Sequence, residues 1–116
     1  MLINWSRIES FISEDSPEEI EWLKGMIKTL IDNLNARLDE LDQITQQKDD
    51  QKLKALLHQI KGVAANFGLD EFQNTTIKAE SEVKNGDVQT SIKTSLLLRG
   101  IWENTKRDIL AKYPIS

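Results

Sequence analysis

The sequence predicts an all-α protein: an antiparallel up-down-up-down four-helix bundle with a short additional N-terminal helix. Three observations carry this. Long stretches place apolar residues at i, i+3, i+4 and i+7, the period of a helix with one buried stripe. The 116 residues include only two prolines and five glycines, few breakers for a chain of this length. The polar breaks between periodic stretches are short, which makes successive helices antiparallel neighbours. At this length the chain is expected to form one domain over residues 1–116, with one substantial core.

Residues 4 to 13 read as a short helix, capped by Asn4, with Trp5, Ile8, Phe11 and Ile12 as its apolar side. So short a helix does not stand alone in water, so it is expected to lie across one end of the bundle. Ser13-Glu14-Asp15 breaks it. A strong start signal follows: Ser16 suits the N-cap, Pro17 the first helical position, and Glu19 completes a capping box. The stripe Ile20, Leu23, Ile27, Leu30, Ile31, Leu34, Leu38 and Leu41 then predicts a helix of about thirty residues, roughly 45 Å long. Trp22 and Met26 sit one turn apart, off this stripe. Packing against the first short helix is the favoured reading for Trp22, and Met26 is open between packing and docking.

After a polar connection over 46–50, the next helix is predicted from Asp50 to Phe67, with Gly68 as the left-handed residue that ends it. Asp70 is the expected N-cap of the following helix, whose core side is Phe72, Thr76, Ile77, Ala79 and Val83. Asn85-Gly86 ends it, and Asp87 opens a single last helix. That helix carries Val88, Ile92, Leu96, Leu98, Trp102, Ile109, Leu110 and Tyr113 before Pro114 stops it. Arg99 and Lys106 interrupt the stripe, which leaves its inward face undecided.

Composition excludes several functions. Without cysteine there is no disulfide framework, cysteine-rich zinc site or thiol catalysis. A single histidine excludes a histidine-rich metal site. The net charge of −4 argues against a nucleic-acid binder or a polybasic membrane protein. No apolar run approaches the ~18 residues that span a bilayer. The start MLINWSRIES lacks the basic region and apolar run of a signal peptide. A cytoplasmic, monomeric protein is expected.

The chemistry concentrates in residues 58 to 68, HQIKGVAANFG. Leu53, Leu56, Leu57, Ile60, Val63, Ala64 and Phe67 fall within an arc of roughly 120° on a helix. His58 lies roughly 160° from the centre of that arc and shares its face with Lys54, Lys61, Gly62 and Ala65. The imidazole is therefore expected to face solvent. Glycine inside a helix costs about 1 kcal/mol relative to alanine, so Gly62 suggests that something approaches the backbone there. Lys61 sets a flexible cation beside the ring. Each residue alone has an ordinary reading: a surface histidine, a packing glycine, a solvated lysine. Their combination on one face points to chemistry.

This stretch resembles the signature of histidine-containing phosphotransfer (HPt) domains, in which a histidine is followed by an apolar residue, Lys-Gly, small residues, an apolar residue and Gly. Ile60, Lys61, Gly62, Ala64, Phe67 and Gly68 fill those places, while Asn66 is larger than the residue often found there. In the family a Gln or Glu on the next helix hydrogen-bonds the histidine, and an ungapped count places Glu80 there. A carboxylate accepting from Nδ1–H would fix the tautomer with Nε2 outward and stabilise charge developing on the ring. FGLDEFQNTTIKAE is similar to the amino-terminal phosphotransfer domain of chemotaxis histidine kinases.

The resemblance implies a phosphocarrier in a histidine–aspartate phosphorelay rather than an enzyme. His58 would accept a phosphoryl group from a receiver-domain aspartyl phosphate and pass it to another receiver. Lys61 and Lys54 would supply charge to the phosphoryl group, Gly62 and Ala65 steric access, and Gln59 and Met26 further docking contacts. The partners implied are response-regulator receivers and a sensor or hybrid histidine kinase. Mg²⁺ would come from the receiver; the chain would have no cofactor of its own and bind no metal. Lys48, Lys52, Lys54 and Lys61 form a locally basic stretch suited to an acidic receiver site, weakened by Asp49 and Asp50. No glycine-rich nucleotide loop is present, so no autokinase activity is expected.

Two alternatives stand beside this. One is a phosphotransfer module of a chemotaxis-type kinase, phosphorylated by its own kinase domain; against it, the starting Met and Pro-Ile-Ser ending fit a free-standing small protein. The other is a helical adaptor that binds a partner helix through Trp22, Met26, Leu97 and Ile101, with His58 incidental. A hydrolase is disfavoured: the carboxylates are explained as caps and solvated faces, and no second histidine assists.

Overall fold

A computed structural model describes residues 1–115, in six helical segments and no strand; Ser116, at the end of the Pro-Ile-Ser sequence, lies outside them. The segments are α1 (Trp5–Glu9), α2 (Pro17–Gln47), α3 (Asp50–Asn66), α4 (Asp70–Lys84), α5 (Val88–Ser95) and α6 (Leu98–Lys112). Helices α2, α3, α4 and the α5–α6 pair form the four rods of the bundle, which measures 48 × 23 × 20 Å. Short turns reverse the chain between rods, and α6 closes the ring against α2. Among the described residues no helix is long and apolar enough to cross a membrane.

Helix α2 runs for 31 residues and buries Leu23, Ile27, Leu30, Leu34, Leu38, Leu41 and Ile44. Ser16 caps it by accepting from the Glu19 amide at 3.2 Å. The expected reciprocal half of the capping box is replaced by another contact. The Glu19 carboxylate accepts from the amides of Ser13 and Glu14, at 3.2 and 2.7 Å, and from the Ser13 hydroxyl at 3.0 Å. The preceding turn offers two unpaired amides, and a side chain in the first turn reaches them. Those bonds, led by the Glu14 amide, hold the Glu19 carboxyl below its ordinary range.

The α3–α4 turn is where the N-terminal segment docks. Gly68 has φ +69, and its carbonyl accepts from the Asn4 amide at 2.7 Å. A Cβ there would lie 2.7 Å from Arg7 Cβ and 2.8 Å from the Asn4 carbonyl oxygen, so packing as well as conformation demands glycine. Arg7 Nε donates to the Asn66 carbonyl at 3.0 Å, which satisfies an open acceptor at the C-terminus of α3. Phe11, in the turn after α1, meets Phe67 at 5.3 Å and Trp5 meets Tyr113 at 6.5 Å between ring centroids, so α1 and that turn cover the end of the bundle. Asp70, expected as N-cap, is instead the first helical residue of α4; the fully buried Leu69 takes the cap position with no side-chain bond. The Schellman-like turn through Gly68 pulls Leu69 into the core and starts the helix one residue earlier than expected.

The single last helix is corrected to two. At Leu96 and Leu97 the chain tightens, and the Leu97 amide bonds the Thr94 carbonyl at 3.1 Å. Leu96 and Leu97 point outward, 57% and 60% exposed, while Ser91, Thr94 and Ser95 turn inward. Small side chains let α5 approach α4, and Ser91 donates to the Ala79 carbonyl at 2.7 Å. The apolar stripe drawn through Val88, Ile92 and Leu96 therefore runs along the flank of the buried face. Farther on, Leu98, Trp102, Thr105 and Ile109 are buried, with Trp102 Nε1 donating to Asn35 at 2.7 Å. Arg99 leaves the core to pair with Asp39 and Asp42 of α2 at 3.0 and 2.7 Å. On α4, Ile77, expected in the core, is 43% exposed, and Thr76 is buried beside it.

Candidate functional site

His58 sits in the middle of α3, between the buried Leu57 and Ile60, and its side chain is 69% exposed. Helix α4 packs alongside and presents Glu80, whose side chain is only 4% exposed. His58 Nδ1 lies 3.0 Å from Glu80 Oε2. Lys61, one turn after His58, donates through Nζ to Oε1 of the same carboxylate. Lys84, one turn after Glu80, brings its Nζ to 3.6 Å from Oε2. A buried carboxylate is thus held by the imidazole and two ammonium groups.

Burial pushes the Glu80 carboxyl up, but the hydrogen bonds from Lys61 and His58, with the charges of Lys61 and Lys84, hold it below its ordinary 4.5. It is ionised at neutral pH and can only accept. The ring nitrogen facing it must then carry the proton when the imidazole is neutral. That leaves the lone pair on Nε2, on the exposed side of the ring.

Other sequence-predicted residues fall around this centre. Gly62 is exposed, and a Cβ there would meet nothing within 4 Å. The fold's own packing therefore has no use for a glycine at that position. Ala65 is exposed beyond it, and Lys54 is half-buried one turn before His58. Gln59 is exposed and accepts from Arg37 of α2, which also donates to Asn33 at 2.9 Å. Lys61 differs from expectation: its ammonium is committed to Glu80 rather than standing free beside the ring, because a buried carboxylate demands compensation.

Trp22 is a second correction. It is 54% exposed rather than packed away. With Gly25, Met26, Thr29, Leu30 and Asn33 of α2 and Val63, Asn66 and Phe67 of α3 it lines an apolar groove of about 540 Å³. The groove begins just over one turn beyond His58 on the same helix. Neither Leu97 nor Ile101 lines the groove that holds Trp22 and Met26. Leu96, at the α5–α6 corner, lies against Asp42, Thr45 and Gln46 of α2, roughly 24 Å along that helix from Met26.

Sequence reasoning missed Arg37 and Gly25, and took the second cation, Lys84, only as an ordinary charged neighbour of Glu80. The spacing of Lys84 from Glu80 was the signal for it. Among the described residues no cluster of three or more His, Cys, Asp or Glu is placed to hold a metal ion.

A family model described as Hpt domain matches residues 25–107. That span contains His58, Lys61, Gly62, Gly68 and Glu80, and leaves out α1 and Trp22. Comparisons with curated proteins and with solved structures returned no match.

Proposed function

Since the chain belongs to the Hpt domain family, whose members carry out histidine phosphotransfer in phosphorelay signalling with receiver domains and histidine kinases, we propose that it is a phosphocarrier acting through His58. It accepts the phosphoryl group of a receiver's aspartyl phosphate and passes it to a second receiver. The observation that carries this is the His58–Glu80 contact at 3.0 Å, on a ring that is otherwise exposed.

The Nε2 lone pair attacks phosphorus in line. The N–P bond forms as the bond from phosphorus to the aspartyl oxygen breaks, and that electron pair leaves on the donor carboxylate. The proton on Nδ1 stays hydrogen-bonded to Glu80, whose negative charge stabilises the ring as it becomes positive. Transfer to the next receiver reverses these steps. Positioning and charge neutralisation dominate such reactions. Mg²⁺ held by the receiver would supply part of that neutralisation.

Gly62 and Ala65 leave room for the receiver's loops above the ring. Gln59, Lys54 and the groove at Met26 and Trp22 extend the docking surface along α2 and α3. The chain works as a single monomeric domain in the cytoplasm, without autokinase activity.

The test uses purified protein and a panel of receiver domains carrying labelled aspartyl phosphate. Wild-type protein should acquire acid-labile label, His58→Gln should not, and ATP alone should label neither. Equal labelling of His58→Gln would remove His58 from the mechanism.

A further inference from the structure

We propose that Lys84 is the cation that meets the phosphoryl group on His58, and that Lys61 acts as a positioning residue by locking Glu80; this rests on the phosphocarrier reading above. The two lysines approach Glu80 differently. Lys61 is 28% exposed and makes a direct hydrogen bond to Oε1. Lys84 is 54% exposed, and at 3.6 Å from Oε2 it is beyond a good hydrogen bond. It faces the oxygen that His58 also uses, so it lies on the ring's side of the carboxylate.

Charge points the same way. One ionised carboxylate is matched by two ammonium groups, which leaves one positive charge in excess beside the imidazole. A phosphoryl group on Nε2 brings two negative charges to that place. Moving Lys61 toward it would strip a buried carboxylate of its direct partner, which is strongly unfavourable. Moving Lys84 gives up only a loose, solvated contact, and its four-carbon stem has the freedom to follow the new anion. The site thus divides its cations: one holds the orienting carboxylate and the other is free to answer the phosphoryl group.

Phosphoramidate serves as a small chemical donor, so no partner protein is needed. Attack by Nε2 breaks its P–N bond, and the amine takes up a proton and leaves as ammonia. Wild-type, Lys84→Met, Lys84→Arg, Lys61→Met and His58→Gln proteins are treated with it, and phosphohistidine is followed by ³¹P NMR. Lysine ammonium and His58 ring nitrogen signals are recorded alongside.

Lys84→Met should lower the phosphorylation rate about fivefold, Lys84→Arg should restore most of it, and both should keep the wild-type ring tautomer signature. On phosphorylation of the wild-type protein, the Lys84 ammonium signal should move and that of Lys61 should not. Lys61→Met should disturb the ring nitrogen signals before any phosphoryl group arrives. An unchanged rate in Lys84→Met, or movement of the Lys61 signal instead, would overturn the division while leaving His58 as the acceptor. Absence of phosphohistidine on the wild-type protein, with His58→Gln indistinguishable from it, would overturn the phosphocarrier reading itself.

Discussion

Glu80 is the residue on which the site turns, because it is buried, ionised and shared by an imidazole and two ammonium groups. Its folded carboxyl titrates below 4.5, the ordinary value that it takes up when the chain unfolds. The stability from its contacts is therefore fully present above about 4.5 and is lost as pH falls through the lowered folded value. Glu80→Gln should destabilise the protein by about 1–2 kcal/mol at neutral pH. The deficit should shrink as pH falls below that range, which denaturant melts from pH 3 to pH 7 would resolve. A deficit independent of pH would mean that the carboxylate's charge is not what matters. The same variant loses the charge that holds the Nδ1–H tautomer, so its phosphorylation should slow at every pH where the wild-type carboxyl is ionised.

Among the elements, α3 and the turn that follows it carry two glycines with opposite demands. Gly68 is fixed by the fold, since a side chain there would collide with Asn4 and Arg7. Gly68→Ala should cost at least about 1–3 kcal/mol, through strain at a positive φ and displacement of α1. Gly62 has open space around it. Gly62→Ala should stabilise the helix by roughly 0.5–1 kcal/mol, while Gly62→Leu should fold normally and slow transfer from a phosphorylated receiver. Thermal melts check the stabilities, and transfer kinetics check the gap. Normal transfer by Gly62→Leu would show that no partner needs the space. Both glycines stand out in the sequence, but only the contacts tell which one serves packing. The break between α5 and α6 was not legible for a similar reason. Ser91 and Ser95 become core residues because α4 offers close approach and Ser91 finds a carbonyl there, and hydrophobic periodicity does not register serine as inward.

For the whole molecule, the arrangement of rods decides which surfaces are continuous. The bundle lays the exposed His58 face and the Trp22–Met26 groove along the same pair of helices, and puts Leu96 and Leu97 at the far corner. Trp22→Ala should weaken binding to a cognate receiver about tenfold or more, as a central aromatic anchor does, with a change in stability under about 1 kcal/mol, since the indole is 54% exposed. Calorimetric titration with the receiver and a denaturant melt would measure the two. A large loss of stability with unchanged binding would mark Trp22 as a packing residue after all.

The sequence by itself determined the all-helical class, the order and limits of most rods, the outward face of His58 and the candidacy of Glu80. The first three follow from a period of 3.6 residues, caps and breakers, which act locally along the chain; Glu80 follows from the resemblance of the sequence to phosphotransfer domains. Only the tertiary structure decided which cation holds Glu80, where Trp22 goes, which face of α5 is buried and why Gly68 has no substitute. Each of these depends on what a neighbouring helix brings within a few ångströms, and no local pattern encodes that distance.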